Sequence, residues 1–497
     1  MPSFLPHLVR FRRALLAALL VPALAAGLGG CARNPATGES VFTGGMSEEE
    51  EIRAGREYHP QIVKEFNGEY GTPELKAYVA SIGQLLARTA ERPNLKFTFT
   101  VLNSDIVNAF ATPGGYVYIT RGLLALADDE AQLAGVLGHE IGHITALHHA
   151  RRHGDSLLAT LGVVVAGAAL GRSGADLAQH GAVALLQSYS RENEYEADLL
   201  GVRYLSHAGF DPYAMSAFLT KLREDSRLAA IRRGESPDAV DQFNYLATHP
   251  APAARVDRAK SLAADAKVRD PMTARDIYLS KIDGLLYGDD PEQGFIRGRD
   301  FLHPKLHFAF RVPPGFSMFN TARSVMAFGP DKSRIVFDRA PKSVDGSMNY
   351  YLRNVWARNT PLSDIESISV NGLDAATAKT TARTSEGTFD ARLVAYRVDL
   401  QTIYRFVFLT PRAKTASLAT ELRRTTYSFR KLNGAEAAAL KPLRLRTVTV
   451  QPGDTVESLA RRMPYADYQA ERFAVLNGIS RNATLRPGQK LKTVVEE

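Results

Sequence analysis

A His-Glu-x-x-His lies within Leu137-Gly138-His139-Glu140-Ile141-Gly142-His143, and it narrows the folds open to this chain more than any other feature. Apolar Leu133, Val136, Leu137, Ile141 and Ile144 recur around it at helical spacing. Asp128, Asp129 and Glu130 stand at the start, where acids oppose the positive end of a helix dipole. On a helix, His139 and His143 are one turn apart on a single face, so both imidazoles can reach one metal at about 2.0–2.1 Å, the zinc–nitrogen distance. Glu140 then lies about 100° further round the axis, close enough to meet a metal-bound water without becoming a ligand. The pattern suits hydrolysis with one zinc ion per chain: the metal acidifies a water, and Glu140 passes its proton to a leaving amine. Gly138 and Gly142 leave room for a second element to approach closely.

A hydrolytic site needs one further protein ligand and an open position. The segment Ser190-Arg191-Glu192-Asn193-Glu194-Tyr195-Glu196-Ala197-Asp198 supplies candidates on a second helix. Glu194 and Asp198 are four apart and share a face, so one can ligate while the other accepts a hydrogen bond from a ligand histidine and fixes its tautomer. Glu192 and Glu196 read as solvated surface acids, although spacing alone does not choose between Glu194 and Glu196 as the ligand. His148, His149 and His153 continue past the metal face and read as solvated or capping residues.

The start of the chain has the order of a secretory signal. Arg10, Arg12 and Arg13 precede the apolar run Ala14–Ala26, and Leu28-Gly29-Gly30-Cys31 follows. The run is too short for a membrane span of about 20 apolar residues. Leu-Gly-Gly-Cys resembles the bacterial lipoprotein signal, which implies lipidation of Cys31, a periplasmic protein, and, with Ala32 next, anchoring at the outer rather than the inner membrane. With one cysteine, the chain can form neither an intrachain disulfide nor a cysteine-based zinc knuckle. The formal charge of +8 falls to +5 once those three arginines are discounted, since no acid lies in the first thirty residues. No nucleic-acid partner is expected.

Length and composition fit several globular domains, with 497 residues and 45% hydrophobic against 23% charged. The expected order is a signal over residues 1–30, a polar tether over 31–45, a first domain over 46–265, an α+β domain over 272–431, a linker over 432–446 and a small unit over 447–494. Ser47 and Glu50 form a capping box for the first helix, Lys96–Leu102 and Gly115–Thr120 read as short strands, and 129–153 and about 183–208 as helices. Leu157–Leu170 is a 14-residue apolar run, expected to be a buried helix or a flap over the cleft. From about 305 to 410 strand-like runs such as SRIVFD and IYRFVFL predominate, closed by a helix near Lys414–Tyr427, without a catalytic constellation.

The first domain resembles the HtpX and CAAX-prenyl-protease type of zinc metallopeptidase, and within it the soluble periplasmic BepA-type branch. The likeness covers about residues 45–262. It rests on His-Glu-x-x-His, on Ser-Arg-x-x-Glu-x-x-Ala-Asp about fifty residues later, on Asn108-Ala109-Phe110-Ala111-Thr112-Pro113-Gly114-Gly115, and on Thr248-His249-Pro250 with Arg255. The resemblance implies a mostly helical gluzincin domain with a small sheet. It also implies Glu194 as third zinc ligand, Asp198 as its supporting partner and Arg255 as an anchor of the His249 loop. His249 would then either steady a tetrahedral oxyanion or occupy the fourth zinc position. Gly114, Gly115, Tyr116, Val117 and Tyr118 are expected to form an edge strand that pairs with an extended polypeptide substrate.

Residues 447–494 follow a β-α-α-β pattern that resembles a LysM module, which implies binding to the glycan of peptidoglycan. Gly453, Asp454, Thr455 and the loop after Asn477 would line the groove. The whole chain is therefore expected to be an α+β multidomain zinc metalloendopeptidase. It would be lipid-anchored, docked to the wall, and act on misfolded or unassembled envelope proteins. A peptidoglycan-remodelling hydrolase and a non-catalytic assembly scaffold are the alternatives. The first is disfavoured by the lack of a His-x-His, and the second by an intact Glu140.

Overall fold

The computed structural model describes residues 30–156, 189–232, 236–237, 252–321, 323–384 and 387–497. The signal segment before residue 30, the apolar run 157–170 and His249 lie outside them. The chain divides into two compact units, one comprising residues 1–63, 68–285 and 445–495, the other 64–67, 286–444 and 496–497.

The first unit opens with an antiparallel hairpin, β1 (Cys31–Arg33) and β2 (Ser40–Phe42), where the sequence suggested a loose tether. Asn34 holds the hairpin's turn, its Oδ1 accepting from the Ala36 and Thr37 amides at 2.9 and 3.4 Å. Helix α1 (Glu48–Glu65) starts at the expected capping box, with Ser47 N donating to Glu50 and Glu50 N to Ser47 Oγ. Helix α2 (Pro73–Ala87) uses Thr72 as N-cap and Pro73 in its first turn. Three short strands follow, β3 (Thr98–Leu102), β4 (Ala109–Thr112) and β5 (Tyr116–Thr120), in the order β3-β5-β4. β5 pairs parallel with β3 and antiparallel with β4.

After α3 (Arg121–Leu126), Asp129 caps α4 (Glu130–Thr145) through the Gln132 amide, and every residue of α4 after Glu130 is buried. A helix buried all round has to be covered on every face. Part of that cover is α5 (Arg191–His207), capped by Ser190. The two helices meet along glycines: a Cβ at Gly138 would sit 3.2 Å from Gly201 O, and one at Gly142 3.1 Å from Ala197 O. Helices α6 (Tyr213–Arg232), α7 (Pro252–Asp265) and α8 (Arg275–Ile282) complete this part.

The second unit is built on an antiparallel sheet of seven strands, β6 (Ser317–Asn320), β7 (Ser324–Phe328), β8 (Arg334–Arg339), β9 (Ser363–Val370), β10 (Leu373–Thr384), β11 (Gly387–Asp399) and β12 (Thr402–Pro411), ordered β6-β7-β8-β12-β11-β10-β9. Helix α9 (Thr415–Ser428) follows close to where the sequence placed it. The core is strongly aromatic, with Phe301, Phe308, Phe310, Phe337, Phe406, Phe408 and Phe429 all buried in one cluster. Part of the expected linker is ordered: Asn433 and Glu436 form a capping box on a short helix, Gly434–Ala439.

Residues 445–495 return to the first unit. Helices α10 (Val456–Ala460) and α11 (Gln469–Asn477) lie between two strands that share a sheet, Leu443–Thr449 and Lys490–Glu496. This module is fixed to the segment between α3 and α4 by buried charge. Lys492 Nζ donates to the carbonyls of Ala125, Leu126 and Ala127 at 2.7–2.9 Å and pairs with Asp128 at 3.1 Å. Lys221 pairs with the same Asp128 and reaches Leu476 O at 2.8 Å. No described helix is long and apolar enough to cross a membrane.

Candidate metal centre

Burial of α4 against α5 puts His139, His143 and Glu194 within one coordination sphere. The Nε2 atoms of the two histidines are 3.1 Å apart. Glu194 Oε2 lies 3.5 Å from His139 Nε2, and Oε1 lies 3.5 Å from His143 Nε2. Two nitrogens bound tetrahedrally at the zinc–nitrogen distance would stand about 3.3 Å apart, so the spacing fits. Among the described residues this is the one cluster of three or more potential ligands.

Charge gives an independent test. Glu140, Glu194 and Asp198 are 1% exposed or less, as buried as carboxylates can be, with one guanidinium, Arg255, among them. Buried charge has to be compensated. Three carboxylates against one guanidinium leave two negative charges, the charge of one divalent cation. Burial favours a neutral His139 ring, but hydrogen bonds to Asp198 and Glu194 outweigh it and raise the pKa to about 9. Burial pushes His143 well below the usual imidazole range. Burial would raise Asp198, but the Arg255 charge and hydrogen bonds outweigh it and bring it to about 2. The residues present fit a zinc ion.

The partners of these groups are specific. Asp198 Oδ1 lies 2.9 Å from His139 Nδ1, so His139 is left with Nε2 for a metal. Arg255 grips Asp198 with two hydrogen bonds, 2.8 Å from Nε and 2.7 Å from Nη2, and meets Glu194 Oε2 at 2.6 Å. It therefore orients Glu194 and Asp198 directly. Glu140 and His139 border a cavity of about 50 Å³ lined also by Asn108, Ala109, Phe218 and Arg255.

Three sequence expectations are corrected. Gly114–Tyr118 is not a free edge. β5 is the middle strand of its sheet, Val117 and Tyr118 are buried, and Tyr118 OH is tied to His59 Nδ1 at 3.0 Å. Gly114 and Gly115 have φ of +80° and +89° and form the turn into that strand, and a Cβ at Gly114 would meet Glu51 O at 2.7 Å. β3 and β4 are the edge strands, and the first residue of β4, Ala109, borders the cavity beside Glu140.

Glu196 and His148 are not surface groups: His148 is fully buried, and Glu196 faces it at 3.1 Å. The chain turns at Leu147, whose φ is +56°, and helical residues 148–156 follow. That turn brings His148 Nδ1 to 2.8 Å from His143 Nδ1. His149 is buried too, against Tyr189 OH.

In the terminal module Asn477 is committed internally. It is 3% exposed and bonded to Phe473 O and to both backbone groups of Lys492, so it lines no groove. Gly453, Asp454 and Thr455 do form a loop at the surface, where Asp454 accepts from Gln451 N and Thr455 caps α10. Cys31 is exposed at the start of β1.

Residues 73–263 match the model of Peptidase family M48, and residues 448–493 that of the LysM domain. The beta-barrel assembly-enhancing protease of Yersinia pestis is 32% identical over 229 residues, which is 44% of this chain and 45% of that protein. Its counterpart in Escherichia coli is 33% identical, over 42% of this chain and 43% of its own length. The mitochondrial metalloendopeptidase OMA1 of Schizosaccharomyces pombe is 30% identical, over 41% of this chain and 60% of its own. The chain thus spans less than half the length of the two bacterial relatives.

Proposed function

Starting from a peptidase family M48 domain and a LysM domain in one chain, we propose a zinc metalloendopeptidase that cuts unfolded or unassembled cell-envelope polypeptides in the bacterial periplasm. The observation that carries this reading is the buried His139–His143–Glu194 cluster with Glu140 beside it. His139, His143 and Glu194 would hold a zinc ion, which would supply the Lewis acidity that makes water a nucleophile near neutral pH. Glu140 takes the proton from that water and hands it to the departing amine. Asp198 and Arg255 keep His139 and Glu194 in register throughout, so proton movement does not disturb the ligands.

Substrate would lie extended along the outer edge of β4, paired main chain to main chain. Such pairing reads backbone rather than side chains and selects unfolded segments. Lipid on Cys31 would hold the protein at the outer membrane, and the 453–455 loop of the LysM domain would hold it against peptidoglycan. The names of the bacterial relatives, which refer to assembly of β-barrels, fit that setting.

The test uses the full chain with an unfolded substrate such as carboxymethylated casein. Cleavage should stop on chelation and return with one equivalent of zinc. Chelation without loss of cleavage would exclude the proposal. Wall binding is tested by co-sedimentation of the full chain with purified sacculi, because an isolated 440–497 fragment would strip Lys492 of Asp128 and the carbonyls of Ala125, Leu126 and Ala127. Equal sedimentation with and without sacculi would remove the glycan role.

A further inference from the structure

The two ligand histidines are supported unequally. His139 leans directly on Asp198, whereas His143 leans on another histidine. Its Nδ1 is 2.8 Å from His148 Nδ1, and His148 Nε2 is 3.1 Å from Glu196 Oε2. Glu196 is held in turn by Arg151 Nη1 at 3.1 Å and by Asn34 Nδ2, which donates to Oε1 at 2.8 Å. Asn34 is fully buried and lies three residues after Cys31. Tyr189 stacks on the His143 ring at 3.9 Å between centroids and fixes its plane.

With a neutral His148, the proton arrangement along this chain has one consistent solution. A carboxylate only accepts, so Glu196 draws an N–H from His148 Nε2. A neutral His148 then has Nδ1 as an acceptor, and His143 must donate to it from its own Nδ1. That leaves the His143 Nε2 lone pair pointing at the metal position. In the opposite tautomer the proton would sit on His143 Nε2 and block ligation.

We propose that Glu196 and His148 are positioning residues that hold His143 in its metal-binding tautomer, and that Asn34 makes the β1–β2 hairpin part of the metal centre. The segment next to Cys31 is then not a passive spacer: whatever restrains the hairpin also bears on zinc affinity. This rests on His143 being a metal ligand, as proposed above.

The experiment measures zinc affinity of the full chain by competition with a chromophoric chelator, alongside the visible spectrum of the cobalt(II)-substituted protein. Supporting partners of ligand histidines are worth about 10–100-fold in metal affinity. His148→Phe and Glu196→Gln should therefore weaken zinc binding by about that factor and alter the cobalt spectrum. Asn34→Asp keeps the oxygen that holds the turn but sets a carboxylate against Glu196, and should weaken binding by a smaller factor. Glu192→Gln, an exposed change on the same helix, should leave affinity unchanged.

Histidine ¹⁵N shifts of the metal-free protein should show the Nδ1–H form at His143. Wild-type affinity in Glu196→Gln and Asn34→Asp, or an Nε2–H His143 in the metal-free wild type, would overturn the relay. A similar loss in Glu192→Gln would overturn its specificity. A wild-type chain that binds no zinc would instead overturn the ligand assignment on which the relay rests.

Discussion

The two units both fill their interiors with apolar side chains, and they differ in how much charge they bury with them. The 286–444 unit packs phenylalanines from β8, β12 and neighbouring segments, with Phe337 and Phe406 centroids 4.7 Å apart and Phe429 meeting Tyr396 at 4.6 Å. The unit that carries the candidate metal centre has an apolar core too, but it also buries charge in two clusters: His139, Glu140, Glu194, Asp198 and Arg255 at one place, Asp128, Lys221 and Lys492 at another. An apolar core is a sum of contacts and tolerates change in proportion to area. A buried ionic core works only when every member is present, because removing one strands its partners. Reactive groups therefore belong to the second kind of interior, and the difference makes the following expectations.

The largest effect falls on the chemistry. Glu140→Gln should lower turnover on unfolded substrate by about 10²–10⁴-fold while zinc content and thermal stability stay near wild type. A stable, zinc-loaded variant with wild-type turnover would show that another group moves the proton. Next, Phe337→Ala should destabilise the aromatic unit by about 3–5 kcal/mol. The single tryptophan, Trp356, lies in that unit and reports its unfolding by fluorescence. Zinc affinity should not follow, and if it fell in parallel the two interiors would not be independent.

Lys492→Met should cost about 3 kcal/mol, felt in the unfolding of the metal-bearing unit and not at Trp356. It leaves three carbonyls and Asp128 without their lysine. A neutral outcome would mean that the terminal module is not fastened through this cluster.

The smallest expectation concerns pH. Burial lowers the His303 pKa to about 4 from its ordinary 6.5, and its Nδ1 accepts from Leu306 N. The unfolded chain takes up the proton first, so this unit's stability is full above about pH 6.5 and declines as pH falls toward 4. The Trp356 melting temperature should drop across that interval, and His303→Asn should flatten the slope. An unchanged slope in the variant would place the dependence elsewhere.

Much of the centre is legible in the sequence for a physical reason: ligand spacing on a helix is local. Four-residue intervals put His139 with His143 and Glu194 with Asp198, and the glycines at 138 and 142 announce a close neighbour. Alternation and β-branched runs likewise revealed the strands of the 286–444 unit. What stayed hidden depended on backbone turns and tertiary charge pairing. His148 reaches His143 because Leu147 adopts a left-handed conformation, which no residue-type rule assigns to leucine. Glu196 looked solvated because its partners, Asn34 and His148, lie 162 and 48 residues away. The position of β5 inside its sheet followed from strand order, which short strands do not encode one at a time. Lys492 read as an ordinary lysine near the end of the chain, because nothing nearby in sequence marks a fully buried ammonium.

The central claim is that three side chains grip the metal and a fourth performs the proton transfer. It is tested most directly by zinc stoichiometry measured in the same preparations as proteolysis. Wild type and Glu140→Gln should each hold one zinc per chain, only wild type should cleave, and His139→Ala should do neither. Full zinc occupancy in His139→Ala, or undiminished cleavage by Glu140→Gln, would contradict it.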